Sequence, residues 1–208
     1  MEGFFISVEG GDGSGKSTQL LKIKEYLNKK GQAYIFTREP GGTSISEKIR
    51  DIILDPANTE MTDLTEALLY AASRAQHIDE VILPALKEGK VVISDRFVDS
   101  SLAYQGYARN LGDTVWEINS PAVSKCMPDI TFFLDVSPEE AMGRIASRGH
   151  DRLEKEEMNF HQKVYEGYQK LIEKDKASGE NRIHSIKANR DPEEVWKDIE
   201  KILDEHFG

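Results

Sequence analysis

The chain has 208 residues, of which 38% are hydrophobic and 31% are charged, and its formal net charge is −10. This length predicts one domain, residues 1–208, with enough residues for a substantial core. The acidic balance excludes a general surface for DNA or RNA backbones, which needs clustered Lys and Arg, but it does not exclude a local pocket for a small nucleotide.

Features of export and membrane insertion are missing from the sequence. No apolar run approaches the roughly 20 residues that cross a bilayer, and the start, MEGFFISVEGGDG, has no basic n-region of a secretory signal. The single cysteine, Cys126, cannot form an internal disulfide and agrees with a reducing compartment. We therefore expect a cytoplasmic protein without a membrane or nucleic-acid partner, in which Cys126 is a packed thiol.

The first half of the chain alternates strand and helix patterns. FFISVEG, from Phe4 to Gly10, predicts a buried strand, and residues 16–30 have leucines and isoleucine at helical spacing before a stop at Gly31. AYIFT at 33–37 predicts a second strand, and isoleucines at 45, 49, 52 and 53 indicate a helix. Thr62 or Asp63 caps the helix that follows, and Pro84 interrupts or restarts the pattern after it.

The second half continues this alternation. VVIS at 91–94 and ITFFLDV at 130–136 predict buried strands, and RIHSIKA at 182–188 a weaker one. Ser137 followed by Pro138 predicts a helix start, residues 156–177 an amphipathic helix, and residues from Asp191 a final helix. Continuous apolar strands between helices favour an α/β fold with a parallel sheet covered on both faces, whose ligands bind at the carboxyl ends of the strands.

A phosphate-binding loop follows the first strand. Gly10-x-x-x-x-Gly15-Lys16-Ser17 matches the Walker A pattern between a predicted strand and a predicted helix, the context in which this motif is specific. Its glycines let backbone N–H groups approach phosphate oxygens, Lys16 reaches the β- and γ-phosphates, and the Ser17 hydroxyl ligates Mg²⁺. We predict that ATP is bound by Gly10, Gly11, Asp12, Gly13, Ser14, Gly15, Lys16, Ser17 and Thr18.

Other classes of phosphate-loop protein fit less well. The only Asn-Lys pair, Asn28-Lys29, lacks the Asp of a GTPase base-reading element, and a motor ATPase usually needs a longer chain. A small kinase is favoured by the segment RIASRGHDRLE, whose arginines 144, 148 and 152 would stabilise the charge of a transferred phosphoryl group. Pairing of these arginines with neighbouring acidic residues is the alternative, and it is plausible for any one of them.

Two further constellations point to an acceptor. Asp95 ends a buried strand, where a carboxylate that holds Mg²⁺ is usual, and Arg96 beside it suits a bidentate phosphate contact. Tyr70 and Arg74 are four residues apart on a predicted helix, so the ring and the guanidinium share a face. By itself such a pair is more often core packing plus a surface charge, and periodicity does not decide between this interpretation and contact with a nucleotide base.

The chain resembles the bacterial thymidylate kinases over nearly its whole length. EGGDGSGKST, TREPGGT, ALLYAASRAQH, DRFVDSSLAYQG and RGHDRLE are the segments that carry the resemblance. It implies transfer of the ATP γ-phosphate to dTMP in dTTP synthesis, with Mg²⁺ as cofactor, by a homodimer. The implied fold is a three-layer α/β/α phosphate-loop NTPase fold with a five-stranded parallel sheet and a small mobile lid at about residues 143–155.

The resemblance also implies roles for individual residues. Tyr70 would stack on thymine, Arg74 and Gln105 would read the base edge with Ser101 near it, and Tyr104 would lie under the deoxyribose. Arg50 and Arg96 would hold the acceptor phosphate, Glu39 would order the acceptor site and the metal, and Arg144 would contact ATP. The predicted metal ligands are Ser17 and Asp95.

The acid in the phosphate loop has a role in this scheme. Asp12 would accept a hydrogen bond from the acceptor 3′-hydroxyl and help to hold the waters of Mg²⁺. Some relatives carry an arginine in this loop and need none in the lid, so here the catalytic cation would come from Arg148 or Arg152, beside Lys16 and Arg96. The chain departs from the family in having Phe97 where tyrosine is more usual. Another nucleoside monophosphate kinase, or an ATP-dependent switch, remains the alternative.

Overall fold

Five parallel strands form one sheet in the computed structural model, which describes residues 3–145, 152–154 and 156–208. The strands are β1 (Phe4–Glu9), β2 (Tyr34–Arg38), β3 (Val91–Asp95), β4 (Ile130–Asp135) and β5 (Ile183–Lys187), in the spatial order β2-β3-β1-β4-β5. All five lie where the apolar runs predicted them, within one residue at either end. The α/β class and the parallel sheet are therefore confirmed.

Helices connect consecutive strands. The α-helices are α1 (Lys16–Lys29), α2 (Ser44–Leu54), α3 (Asp63–His77), α4 (Leu83–Lys87), α5 (Val98–Ser101), α6 (Thr114–Val123), α7 (Pro138–Ile145), α8 (Met158–Ser178) and α9 (Pro192–Phe207). Two π-helical segments, Ile78–Ile82 and Leu102–Ala108, extend α3 and α5. No helix in the described part of the chain is long and apolar enough to span a membrane.

Several helix ends agree with the sequence signals. The Thr62 hydroxyl accepts a hydrogen bond from the Thr65 N–H, so Thr62 is the N-cap of α3. Ser137 accepts from the Glu140 N–H at the start of α7. Pro84 lies in the first turn of α4, directly after the π-helical segment Ile78–Ile82, so it restarts the α-helical pattern.

Residues 98–123 form helices that the sequence analysis did not predict. α5 and its π-helical extension contain Ser100, Ser101 and Gly106, and α6 has Pro121 in its interior. These residues weaken the local helical signal. Burial against the rest of the fold, which leaves Val98, Ala103 and Val115 without exposed surface, stabilises the segment instead.

The sheet is covered on both faces, as its apolar strands predicted. Ile6 and Val8 of β1 face α1 and α9, where they meet Ile23 and Ile199 in one core. Phe5, between them, faces the opposite side and packs with Ile78, Ile82 and Phe97. This alternation makes the fold three layers of helix, sheet and helix.

Strand register places the chemically active residues at one edge of the sheet. Val8 of β1 lies opposite Asp95 of β3, and Arg38 of β2 pairs with the same residue. The segments after β1, β2 and β3 therefore leave the sheet side by side. These segments contain the phosphate loop, Glu39 and Arg96, so the edge is the expected place for a ligand site.

Candidate functional site

The phosphate loop connects β1 to α1 in the conformation that its glycines allow. Gly10, Gly13 and Gly15 have φ of 141°, 85° and 98°, which side chains other than glycine rarely adopt. A Cβ on Gly10 would also come within 2.8 Å of the Ser14 Oγ. The loop therefore folds closely in front of the N-terminus of α1, which favours anions.

Lys16 lies across this loop. Its Nζ donates to the carbonyl oxygens of Gly10 at 2.9 Å and Gly11 at 3.1 Å. Burial lowers the pKa of the Lys16 ammonium, the nearby Arg96 lowers it further, and Asp12 opposes both. Because neutral carbonyl oxygens stabilise an ammonium less than a phosphate would, this lysine is well placed to bind an anion.

The predicted metal ligands line one cleft beside the loop. Ser17 and Asp95 both border it, together with Lys16. The Asp95 Oδ1 is inaccessible to solvent and has no hydrogen-bond partner among the described residues. An orphaned carboxylate oxygen beside a hydroxyl fits Mg²⁺, which takes one or two protein oxygens and completes its coordination with water and substrate phosphates.

Asp12 and Arg96 form an ion pair at the centre of the site. The Arg96 Nη2 donates to the Asp12 Oδ1 at 2.9 Å, and its Nη1 donates to the Ser100 Oγ at 3.1 Å. Arg96 adopts φ of 70°, an uncommon backbone conformation for a side chain of this size. Its guanidinium lies 5.3 Å from the centre of the Tyr104 ring.

An adjoining cleft brings together every residue predicted to bind the acceptor. Its lining includes Glu39, Arg50, Tyr70, Arg74, Arg96, Ser101, Tyr104 and Gln105. These residues come from α2, α3, α5, the segments that follow β2 and β3, and the segment Leu102–Ala108, so only the tertiary fold joins them.

Arg74 is fixed by three partners within the protein. Its Nε donates to the Glu39 Oε2 at 2.7 Å, its Nη1 to the Asn119 Oδ1 at 2.5 Å and its Nη2 to the Phe97 carbonyl at 3.1 Å. A guanidinium has five N–H groups, so two have no partner among the described residues and are left for a ligand. Glu39 also contacts the His77 Nδ1 at 3.0 Å, and Arg50 donates to the Pro40 carbonyl at 2.8 Å.

The Ser101 hydroxyl marks the buried end of this cleft. It is 1% exposed, and its Oγ has no hydrogen-bond partner among the described residues. Because an unsatisfied buried hydroxyl is costly, this atom points to a polar ligand in the cleft.

The surroundings of Phe97 explain why this position does not need the tyrosine that is more usual in the family. The side chain is fully buried, and its ring packs edge-to-face on Phe5 at 4.9 Å. A hydroxyl is therefore not needed for packing at this position.

The structure describes two of the three arginines of the predicted lid. Arg144 on α7 donates to the Gly13 carbonyl at 3.1 Å and lines the phosphate-loop cleft, as expected for a residue that contacts ATP. Arg152 contacts the other side of the site, where its Nε donates to the Ile53 carbonyl at 2.9 Å and its Nη2 to Glu66. Arg148 lies outside the described residues.

The structure adds a buried carboxylate that the sequence analysis missed. Glu9, at the end of β1, accepts hydrogen bonds from the Phe97 N–H at 2.6 Å, the Ser100 Oγ at 2.6 Å and the Tyr168 hydroxyl at 2.9 Å. Burial, with a smaller contribution from Asp99, raises the pKa of Glu9 to about 7. An acidic residue at the end of an apolar strand was the available signal.

Cys126 agrees with the expected packed thiol. It is partly buried beside the core cluster on the Phe5 side of the sheet. Burial raises the pKa of its thiol to about 12, so the nucleophilic thiolate is scarce at neutral pH.

Fold and site together define a phosphate-loop nucleotide-binding protein with a second ligand cleft at the carboxyl edge of its sheet. A family model described as thymidylate kinase matches residues 8–199. The thymidylate kinase of Oceanobacillus iheyensis is 52% identical over 98% of this chain and 90% of its own length, and that of Clostridium novyi is 50% identical over 97% and 98%. A crystal structure of thymidylate kinase from Ehrlichia chaffeensis has a TM-score of 0.78 at 31% identity, covering 98% of this chain and 99% of that one. The chain belongs to the thymidylate kinase family.

Proposed function

We propose that the protein transfers the γ-phosphate of ATP to dTMP and releases dTDP and ADP. The proposal is carried by the junction of the two clefts, which share Asp12, Glu39, Arg50 and Arg96. Two ligands that fill these clefts would meet at cationic side chains. Phosphoryl transfer needs this arrangement because positioning and charge stabilisation supply most of its catalysis.

The acceptor base would lie against Tyr70 on α3. Tyr70 is half-buried and borders the acceptor cleft, so its ring can stack on a pyrimidine. Arg74 and Gln105 would contact the base edge, and Ser101 would supply its unpaired hydroxyl nearby. Tyr104 would lie under the deoxyribose.

The phosphates would be held at the junction of the clefts. Arg50 and Arg96 would bind the acceptor phosphate, and Lys16 the ATP phosphates, supported by the loop from Gly10 to Thr18. The acceptor sugar would compete with Arg96 for Asp12, which would take a hydrogen bond from the 3′-hydroxyl. No general base is required because the attacking phosphate oxygen is already ionised at neutral pH.

Mg²⁺ would be held by the Ser17 hydroxyl and the Asp95 carboxylate. When bound, it neutralises charge on the phosphate oxygens and aligns them for transfer. The side chains that border the same cleft, Lys16 and Arg96, would stabilise the remaining negative charge. Arg144 would contact ATP from α7.

A lid at about residues 143–155 would complete the site. Its function would be to exclude water and to bring an arginine to the transferred group. Arg148 and Arg152 are the two candidates for this catalytic cation. Arg148 is the better one, because the described contacts of Arg152 are to Glu66 and Ile53 on the acceptor side.

An assay of ADP formation tests the proposed reaction. ADP formation is measured with Mg-ATP and each nucleoside monophosphate in turn. We expect strong activity with dTMP and little with AMP or GMP. Activity with AMP or GMP alone would indicate another monophosphate kinase, and none with any acceptor would indicate an ATP-dependent switch.

We also propose that the protein is a homodimer in the cytoplasm. Helices α2 and α3 pack against each other. The dimer would use the exposed aliphatic side chains of these two helices. Ile45 and Ile52 are 51% and 48% exposed, and Leu64 and Leu68 are 46% and 48% exposed. Grouped exposed aliphatic residues of this kind are typical of interaction surfaces.

A further inference from the structure

Glu66 is a buried carboxylate directly behind the acceptor cleft. It lies on α3, four residues before Tyr70, and is 1% exposed. Its Oε1 accepts from the Gln105 Nε2 at 2.8 Å. Its Oε2 accepts from the Arg109 Nη2 at 3.2 Å and from Arg152. The Arg109 Nε also donates to Oε1, at 3.4 Å, so two guanidinium groups hold Oε2 and the short contact of Oε1 is to Gln105.

An ionised Glu66 can only accept hydrogen bonds, and this fixes the orientation of the Gln105 amide. Burial alone would raise the pKa of the Glu66 carboxyl, but its hydrogen bonds and the charge of Arg109 outweigh burial and hold the pKa below its usual value. The Gln105 NH₂ group must therefore point to Glu66. The amide oxygen is the opposite end of the same group, and no hydrogen bond to it occurs within the described residues.

Gln105 lines the acceptor cleft beside Arg74. With its amide fixed in this way, the amide oxygen is available there to accept a hydrogen bond from a ligand. Arg74 has only donors, two of them unused by its three protein partners. The Gln105 amide oxygen, a hydrogen-bond acceptor, matches the N3–H of thymine or uracil, and the neighbouring Arg74, a donor, matches O4. Cytosine presents the reverse pattern, an N3 acceptor and an N4 amino donor, and would leave both protein groups unpaired in a buried place.

We propose that Glu66 is a specificity-determining positioning residue: by fixing the Gln105 amide, it makes the site select pyrimidines that carry an N3–H over cytosine. The inference rests on the proposed function, because it requires a pyrimidine monophosphate in the acceptor cleft. Glu66 does not touch the substrate and acts through Gln105. Sites that hydrogen-bond a polar group reject analogues lacking it far more strongly than apolar sites do.

The test is a double-mutant cycle on the ratio of kcat/KM for dTMP to kcat/KM for dCMP. Glu66→Gln lets the Gln105 amide rotate, so we expect this ratio to fall roughly tenfold or more, with the KM of ATP unchanged. Gln105→Met removes the amide, so Glu66→Gln should lower the ratio no further in that background. An unchanged ratio in the single variant, or an equal fall in both backgrounds, would overturn the proposal.

Glu156→Gln is the matched control. Glu156 accepts from the same Arg109 Nη2 at 2.6 Å but does not contact Gln105. We expect this variant to keep the dTMP to dCMP ratio of the wild type. A fall in the ratio equal to that of Glu66→Gln would assign the effect to Arg109 and would also overturn the proposal.

A structure of the wild-type protein with dTMP keeps the proposal testable if Glu66→Gln does not fold. The Gln105 Oε1 should lie within hydrogen-bond distance of thymine N3 while Nε2 stays on Glu66. A Gln105 amide in the opposite orientation, or away from the base, would refute the inference. Failure of the wild type to phosphorylate dTMP would instead refute the proposed function.

Discussion

At the scale of single residues, the site combines groups that have a strained backbone, that lack a hydrogen-bond partner, or that are buried and titratable. Arg96 has a positive φ, the Ser101 Oγ and the Asp95 Oδ1 lack partners within the described residues, and Glu9 is buried with a raised pKa. Each of these features costs stability in the ligand-free protein. Their concentration at one edge of the sheet is what is expected of a site organised for a ligand.

Tyr70→Ala tests the proposed base contact. Loss of the ring removes stacking worth about 1–3 kcal/mol, so we expect the KM of dTMP to rise by a corresponding factor with little change in the KM of ATP. Steady-state kinetics with each nucleotide varied measures both. Tyr70→Phe keeps the ring and should stay close to wild type. Equal losses for ATP and dTMP would contradict the assignment.

Glu9→Gln tests the raised pKa of the buried carboxyl. A folded-state pKa of about 7 against 4.5 means that the folded protein holds the proton more tightly. The stability from this proton is complete below pH 4.5 and is lost as the pH rises through 7, by roughly 3 kcal/mol at about 1.4 kcal/mol per pKa unit. The unfolding free energy of Glu9→Gln, relative to wild type, should therefore increase between pH 4.5 and 8.

Urea unfolding at both pH values provides the measurement. In the Glu9→Gln variant the amide oxygen can accept from the Phe97 N–H, and the amide NH₂ group can donate to the Ser100 and Tyr168 hydroxyls, so the network can be kept. Glu205→Gln, at an exposed position of α9, serves as the control. A difference between Glu9→Gln and wild type that does not change with pH would contradict the raised pKa.

At the scale of elements, the acceptor cleft depends on the contact between α8 and the π-helical segment Leu102–Ala108. This segment contains Tyr104 and Gln105, and Gly167 of α8 lets it approach closely. A Cβ at Gly167 would lie 2.9 Å from the Tyr107 Cβ and 3.2 Å from the Ala103 Cα. The absence of a side chain on one helix thus sets the position of the other.

Gly167→Ala should separate these two elements. We expect a loss of about 1–3 kcal/mol of stability from overpacking, and a higher KM for dTMP because Tyr104 and Gln105 move. Gly143→Ala is the matched control on α7, where a Cβ meets nothing within 4 Å, and it should stabilise by up to about 1 kcal/mol. Thermal unfolding measures the stability of the two variants, and steady-state kinetics measures their KM for dTMP. Equal stability of the two variants would contradict the packing argument.

The lid arginines are separable by their effects on kcat and KM. If Arg148 is the catalytic cation, Arg148→Ala should lower kcat on the order of 10³-fold with little effect on the KM of dTMP. Arg152→Ala should instead raise the KM of dTMP, because Arg152 contacts Glu66 behind the acceptor cleft. A larger loss of kcat in Arg152→Ala than in Arg148→Ala would reverse the assignment.

At the scale of the whole molecule, helix α3 borders both the acceptor cleft and the proposed dimer contact. Tyr70 and Arg74 of α3 line the acceptor cleft and Glu66 lies behind it, whereas Leu64 and Leu68 lie exposed on another face of the helix. In the proposed dimer, the contact with the second copy would therefore support the helix that holds the acceptor base.

Charge substitution on this face tests the proposed dimer. The double variant with Ile52→Lys and Leu68→Lys should sediment as a monomer where the wild type sediments as a dimer, because unpaired charges would be buried at the contact. Leu21→Lys is the control, since Leu21 is 59% exposed on α1. A wild type that is monomeric at micromolar concentration, or a double variant that stays dimeric, would rule out this interface.

The sequence by itself determined the class of fold, the phosphate loop and the positions of all five strands, because these depend on local patterns of apolar residues and glycines. It did not reveal the helices between residues 98 and 123, whose serines and proline weaken the local signal. Only the tertiary structure decided that Glu9 and Glu66 are buried, that Arg152 contacts Glu66, and that the Gln105 amide has one orientation. Burial and hydrogen bonding at these residues depend on segments far apart in the chain, and no local pattern specifies which of them meet.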